Sequence, residues 1–292
     1  MRIRINPVYG KELKMKVRSV KFALTIFLFN MMLGIVAITG FEVMFNMHLN
    51  PYVDYSGAAK VFYILVSMEI LTVMFLIPSF TAGSIAGERE KQTLDILLTT
   101  TLTPGEIIMG KLMSSISMVF LLVVSSLPII SIVFTIGGIG MEDMIMFMLE
   151  ILIISFFIGS MGMLASTMLK KTVQATVCSF AQIVLVVIVA YIAAKLYYYN
   201  CMGAVGSMPD VSSVLFILLI NPAFTIVQMT AKHCESISVI SKAAGMLNGS
   251  MPSTIVDNWF RLSMISQMIV TVILLRISAI LLKPTRKKKT VS

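Results

Sequence analysis

Charged residues are scarce in this chain. They make up 13% of its 292 residues, whereas an ordinary soluble domain carries roughly 25%. Hydrophobic residues make up 58% of the chain. This balance excludes an ordinary soluble domain and indicates a protein that crosses a membrane several times.

Histidine and cysteine are also rare, at two and three residues. Neither an HExxH nor a GxSxG motif occurs in the sequence, so nothing favours a membrane protease, and we expect no metal site. Cys178 lies in an apolar run and is typical of a small packing residue. Cys201 and Cys234 both lie in residues 195–261. Two alternatives remain for them, a disulfide between the two sulfurs or two free thiols.

Six apolar segments are long enough to cross a hydrocarbon core about 30 Å thick, which takes about 20 helical residues. Their lengths favour helices over barrel strands. The segments are residues 22–45, 61–83, 112–136, 144–168, 173–194 and 262–282. We therefore predict an all-α integral membrane protein, in which residues 1–292 form a single transmembrane domain with six transmembrane helices.

A seventh apolar stretch, residues 211–229, is interrupted by Asn221 and Pro222. Proline removes a helix donor and disfavours helix at the residue before it. We therefore predict a re-entrant pair of short helices within an outer segment, residues 195–261, and a seventh span is the alternative.

Residues 6–21 predict an amphipathic helix that lies in the membrane interface. Asn6 can cap this helix, and Pro7 suits its first position. The apolar side chains that share one face are Tyr9, Leu13, Val17 and Val20. The alternative is an ordinary basic flank before the first span.

The distribution of Lys and Arg predicts the orientation, because positive residues concentrate in cytosolic loops. If the N-terminus is cytosolic, the Lys and Arg that fall outside are Lys60, Lys195, Lys232, Lys242 and Arg261. Both termini are therefore expected in the cytosol, with residues 283–292 as a basic tail of a plasma-membrane protein. The net charge of +9 then reflects orientation and attraction to anionic lipid, and it does not indicate a nucleic-acid partner.

A charged hairpin, residues 84–111, joins the second and third predicted spans. Leucines at helical spacing follow its charged residues, and Thr103 to Glu106 match a capping box with Pro104 at the first helical position. The pattern predicts helix, turn, helix on the cytosolic side.

The stretch from Pro78 to Lys111, PSFTAGSIAGEREKQTLDILLTTTLTPGEIIMGK, resembles the signature of permease subunits of type-2 ATP-binding cassette (ABC) transporters. The resemblance implies a coupling helix at residues 86–91, gripped by a dimeric cytosolic ABC ATPase, and a following helix at residues 92–102. It also implies a second permease subunit, identical or related, and contact with membrane lipids. The ATPase-coupling residues that it implies are Ala86, Gly87, Glu88, Arg89, Glu90, Lys91, Thr93, Leu94, Leu97 and Leu98. We expect the charged ones to pair with charges on the ATPase.

Gly105, Gly110 and Lys111 fit most of a phosphate-binding loop, but Leu112 replaces the Ser or Thr that would hold magnesium. A capped helix also occupies this site. We therefore expect that this chain binds no cofactor and is not an enzyme, and that ATP and Mg bind the partner ATPase.

Glu69 lies near the middle of a predicted span, where a carboxylate is costly and often functional. We consider it a candidate contact for a cationic substrate. The equal alternative is a carboxyl group that is protonated or bonded to Ser67 or Thr72. Glu42 and Glu150 are expected near the outer ends of their spans, where water can solvate them.

These patterns predict the permease subunit of an ATP-driven ABC exporter, which forms the translocation path. The alternatives are a secondary transporter or ion channel that uses the acids as its ion path, and an ABC-coupled signalling complex that moves no solute. The sequence leaves the substrate open.

Overall fold

The computed structural model describes residues 7–44, 56–137, 140–200, 217–225 and 253–282. Within these ranges the chain forms helices and turns and no strand, which confirms the all-α prediction for them. The helices are α1 (Pro7–Val17), α2 (Val20–Met44), α3 (Ser56–Thr81), α4 (Gly83–Glu90), α5 (Leu94–Leu98), α6 (Pro104–Gly137), α7 (Met141–Met168), α8 (Thr172–Asn200) and α9 (Ser253–Leu281).

Six helical segments are long and apolar enough to cross a membrane, which confirms the predicted number for the part of the chain that the structure describes. They are Val20–Val43, Val61–Glu90, Pro104–Val133, Met144–Met168, Thr172–Tyr197 and Trp259–Leu281. The third begins well before the predicted residue 112, because the capped helix at Pro104 continues into the span without a break.

Helices α3, α6 and α7 form the centre of the bundle. Their buried side chains build the main apolar core, to which α2 adds Phe29 and Leu33. Edge-to-face ring contacts tie α3 to α7 through Phe62 and Phe147, whose centroids lie 6.4 Å apart. Helices α2, α8 and α9 lie outside this centre and expose rows of large apolar side chains, as lipid contact requires.

Two glycines let α7 approach its neighbours closely. A Cβ added at Gly162 would stand 2.0 Å from Thr81 Oγ1 at the end of α3, and one at Gly159 would stand 2.7 Å from Leu112 Cδ1 of α6. Small residues allow such contacts between membrane helices. The close approach brings the end of α3 against α7 where α4 begins.

The N-terminal helix differs from the predicted one. It ends at Val17 and not at Lys21, and α2 starts at Val20. Val17 is 40% exposed and Val20 is 83% exposed, so these two side chains do not share a buried face. Glu12 and Lys16 of this helix instead face α6, where both hydrogen-bond to Ser114.

Candidate functional site

The candidate site overlaps the hairpin predicted at residues 84–111. We use the name coupling hairpin, after its predicted role, for α4, α5 and the turn between them, residues 83–98. It stands at the end of the bundle where α3 ends and α6 begins. The predicted single helix at residues 92–102 is shorter in the structure, because α5 covers only Leu94–Leu98. Over residues 84–111, where one helix, a turn and a second helix are predicted, the structure has three helical pieces, α4, α5 and the start of α6.

Ser166 of α7 holds the start of α4. Its Oγ accepts hydrogen bonds from the amide groups of Ile85 and Ala86, each at 2.9 Å. Ala82 at the N-cap supplies no side-chain bond, so this hydroxyl takes the place of a cap. All three groups are buried, and their pairing fixes α4 against α7.

The turn after α4 has the hydrogen bonds of a Schellman motif. The Thr93 amide donates to the Glu88 carbonyl oxygen at 2.9 Å, and the Gln92 amide donates to the Arg89 carbonyl oxygen at 3.2 Å. Gln92 adopts φ 58°, a left-handed conformation that usually falls to glycine. The Thr93 hydroxyl also donates to the Glu88 carboxylate. The turn is therefore tightly defined by local bonds.

Arg89 and Glu90 bind the loop between α7 and α8. The Arg89 guanidinium donates to the Thr167 and Leu169 carbonyl oxygens at 3.1 and 3.2 Å, at the end of α7. Glu90 accepts from the Thr172 amide at 3.1 Å and from its hydroxyl at 2.8 Å, at the start of α8. Each charge also suits the helix dipole that it faces. These two residues join the coupling hairpin to two more long helices.

Lys111 of α6 is 2% exposed and lies between two carboxylates. Its ammonium is 2.5 Å from Glu12 Oε1 of α1 and 3.4 Å from Glu88 Oε1 of the coupling hairpin. Such pairing is what a buried ammonium requires. Lys111 therefore links α1, α4 and α6.

Two contacts of α1 extend this network. Lys16 donates to Ser114 Oγ at 3.2 Å, and Ser114 donates to Glu12 Oε2 at 3.0 Å. Burial lowers the pKa of the Lys16 ammonium, and the neighbouring Glu12 opposes that shift. Sequence reasoning missed Glu12. The signal was that Glu12 is the only acid among the first 21 residues.

Most of the predicted coupling residues therefore form their bonds and packing contacts with other parts of the same chain. Glu88, Arg89 and Glu90 use their charges within it, while Leu94 is buried and Leu97 and Leu98 pack on the same apolar cluster. The expected pairing of these charges with an ATPase stays a prediction.

The exposed residues of the coupling hairpin are Glu90, Lys91, Gln92, Asp95 and Ile96. We call Lys91, Asp95 and Ile96 its exposed face, because Glu90 is bonded to Thr172 and Gln92 forms the turn. Ile96 is 69% exposed. Lys91 and Asp95 are exposed and make no ion pair within the described ranges. Sequence reasoning did not single out Ile96. These side chains offer a partner one apolar contact and two opposite charges.

The capping box at the start of α6 is present as predicted. The Glu106 amide donates to Thr103 Oγ1 at 3.3 Å, and the Thr103 amide donates to Glu106 Oε2 at 2.7 Å. The residues that resemble a phosphate loop are helical, and Lys111 is already paired. The expectation that no nucleotide binds there stays a prediction.

Glu69 lies in the centre of the bundle and is fully buried. Ser126 of α6 donates to its Oε1 at 2.5 Å. The hydroxyls of Ser67 and Thr72 donate instead to carbonyl oxygens of their own helix, so the bond is of the expected kind but from another residue. The role of Glu69 as a substrate contact stays a prediction.

Glu150 differs from its expected position. It is fully buried rather than solvated near an end of its helix. Glu42, in contrast, is exposed near the end of α2, as expected.

The segment 217–225 shows the helix break that Asn221 and Pro222 predict. Asn221 Oδ1 accepts from the Ala223 amide at 3.0 Å and so caps the short turn at 222–225. The rest of the predicted re-entrant stretch, residues 211–216 and 226–229, lies outside the described residues. Cys201, Cys234 and the basic tail 283–292 lie outside them too.

A bundle of six membrane-length apolar helices, with a helical hairpin folded against one end, is the architecture of a multi-pass membrane protein. Residues 6–283 match the sequence model of the family described as "ABC-2 family transporter protein", so the chain belongs to that family. A comparison with curated proteins gives no match. The family provides the membrane component of a transporter, which is not itself the ATPase and which works with an ABC ATPase.

Proposed function

We propose that the chain is the permease subunit of an ATP-driven exporter and that the coupling hairpin receives the motion of a separate cytosolic ABC ATPase. The observation that carries this proposal is the way the coupling hairpin is held. Its backbone and charged side chains are bonded to the ends of α7 and α8 and, through Lys111, to α1 and α6.

Such bonding would let the coupling hairpin transmit a pull to the helix bundle. A partner that pulls on the coupling hairpin would move the ends of several long helices together, because buried and charge-assisted bonds resist separation. The exposed Lys91, Asp95 and Ile96 are the surface that a soluble partner can reach. In this proposal ATP and Mg bind the dimeric ABC ATPase, and this chain forms the translocation path.

We also propose how the chain is oriented in the membrane. Both termini and the coupling hairpin lie in the cytosol, as the distribution of Lys and Arg favours. The segment 217–225 belongs to a re-entrant element that enters from the outer side. Its support is the bond from Asn221 Nδ2 to the Val187 carbonyl oxygen in the middle of α8, at 3.3 Å. Irregular backbone at such a depth needs protein partners of this kind.

A second permease subunit, identical or related, completes the transporter in this proposal. The wide apolar surfaces of α8 and α9 are available for it or for lipid. The path between two subunits carries the exported molecule. The predicted contact of Glu69 with a cationic substrate then requires the helices around it to part, since Glu69 is buried within one subunit.

The exposed face of the coupling hairpin gives the test. Reversing both charges by Lys91→Glu with Asp95→Lys should reduce copurification of an ABC ATPase with this chain at least ten-fold. It should leave membrane insertion unchanged, because neither side chain bonds to a long helix. Glu142→Lys is the matched control, since Glu142 is exposed at the opposite end of the bundle. Undiminished ATPase association in the double variant would remove the docking role.

A further inference from the structure

An open apolar groove lies between α7 and α9, and the proposed coupling does not use it. Leu149 and Ile153 of α7 form one wall of the groove. Helix α9 forms the rest with Arg261 and six apolar side chains, which are Met264, Ile265, Met268, Ile269, Val272 and Ile273. The lining is therefore apolar along its length and carries one positive charge.

The α9 residues of the groove share one face of the helix, because they recur at intervals of three and four residues. Ile265, Ile269 and Ile273 are each more than half exposed. In a membrane such a surface contacts either lipid chains or the apolar side chains of another protein. The length of the groove and the position of Arg261 distinguish these two occupants.

Arg261 lies at the end of the groove that is far from the coupling hairpin. Met163 near the end of α7 and Leu282 just after α9 belong to the apolar cluster that also contains Leu94 of the coupling hairpin. At roughly 1.5 Å per residue, Arg261 stands about 30 Å along the helix from Leu282. Arg261 also lies close to the start of the span Trp259–Leu281. It is therefore placed at the opposite surface of the membrane.

The apolar part of the groove is about as long as one leaflet is thick. From Met264 to Ile273 the helix rises by about 14 Å, and half of a hydrocarbon core of about 30 Å is about 15 Å. Arg276 follows on the same face, and it is exposed. A partner helix that crossed the whole membrane against this face would have to desolvate both Arg261 and Arg276, which is costly. A single acyl chain fits the length without covering either cation.

The charge of Arg261 identifies the chemistry of the other end of the occupant. Arg261 is exposed and makes no ion pair within the described part of the chain. An arginine near the end of a span extends its charged group towards the membrane surface. There the planar guanidinium matches a phosphate group, to which it donates two parallel hydrogen bonds. A phosphate joined to an acyl chain is a phospholipid.

We propose that the groove between α7 and α9 binds one phospholipid of the leaflet on the side away from the coupling hairpin. One acyl chain lies along α9 from Met264 to Ile273, and the phosphate group binds Arg261. A lipid that is held at both its phosphate and its chain exchanges more slowly than the surrounding lipid, so it binds saturably. The proposal does not depend on the exporter function or on ATPase docking.

The experiment is native mass spectrometry of the purified, delipidated full-length chain in detergent. The probes are dioleoylphosphatidylglycerol and dioleoylglycerol, which has the same chains without the phosphate. Wild type should bind the first phosphatidylglycerol at least ten-fold more tightly than dioleoylglycerol. Arg261→Gln should remove that preference, because it loses the charge that binds the phosphate. Arg276→Gln is the matched control on the same face and should keep the preference, since Arg276 does not line the groove.

A second pair of variants tests the groove itself. Ile269→Trp fills it and should weaken phosphatidylglycerol binding at least ten-fold, whereas Ile280→Trp changes an exposed α9 residue outside the groove and should not. If Arg261→Gln does not fold, this pair decides alone.

Three results would overturn the proposal. The first is equal binding of the two lipids by wild type, and the second is unchanged phosphatidylglycerol binding in Arg261→Gln or Ile269→Trp. The third concerns a photo-cross-linking amino acid at Ile269 in native membranes. We expect it to join a phospholipid, and a product that joins two copies of the chain would show that the groove is a subunit interface.

Discussion

Ser166 is the residue on which the start of the coupling hairpin depends. One hydroxyl accepts from two buried backbone amides, so its loss would leave both without a partner. A buried donor that loses its acceptor costs about 1–3 kcal/mol. The position of α4 against α7 is therefore sensitive to a single oxygen atom.

We expect Ser166→Ala to lower the free energy of unfolding by at least about 2 kcal/mol, because two amides lose one acceptor. Thermal unfolding of the purified chain measures this change. Ser160→Ala is the matched control on the same helix, since the buried Ser160 hydroxyl donates to the Phe157 carbonyl oxygen of its own turn. Its loss should cost less than about 1 kcal/mol. Equal effects of the two variants would contradict the capping role of Ser166.

At the scale of elements, α7 is the scaffold for the coupling hairpin. Its glycines admit the end of α3, Ser166 holds the start of α4, and its last carbonyl oxygens accept from Arg89. Close packing near Gly162 is what places α3 and α4 within reach of these groups.

Gly162→Ala should destabilise the chain by about 1–3 kcal/mol, because the new Cβ would stand 2.0 Å from Thr81 Oγ1 and α3 would have to shift. The unfolding temperature should fall accordingly. Gly34→Ala serves as control, because nothing lies within 4 Å of a Cβ there. This change should stabilise α2 by up to about 1 kcal/mol, as alanine does in open helix positions. A Gly162→Ala chain as stable as wild type would show that α3 and α7 are not closely packed.

The sequence predicted those elements whose signals are local. Thr103 and Glu106 are three residues apart, and their capping box starts α6 as expected. The pairing of Lys111 with Glu12 joins residues 99 positions apart, and no local pattern encodes it. The burial of Glu150 depends in the same way on packing between segments distant in sequence, so the expectation that water solvates it was wrong.

At the scale of the whole molecule, one end of the bundle is held together and the rest presents apolar surface. The apolar cluster under the coupling hairpin includes Ile85, Leu94, Met163 and Leu282, which come from α4, α5, α7 and the end of α9. Arg89, Glu90 and Lys111 add charged bonds at the same end. In the proposed coupling, a force on the coupling hairpin would therefore act on several of these helix ends at once.

The central claim is that the exposed face of the coupling hairpin docks an ABC ATPase, and a photo-cross-linking amino acid at Ile96 tests it most directly. Ile96 is exposed and does not hold the fold, and Met141, exposed at 65% at the opposite end, is the control position. In native membranes we expect a cross-link at position 96 to a protein that mass spectrometry identifies by its nucleotide-binding motifs, and no such product at position 141. The absence of that product at position 96, or its formation at position 141, would contradict the account.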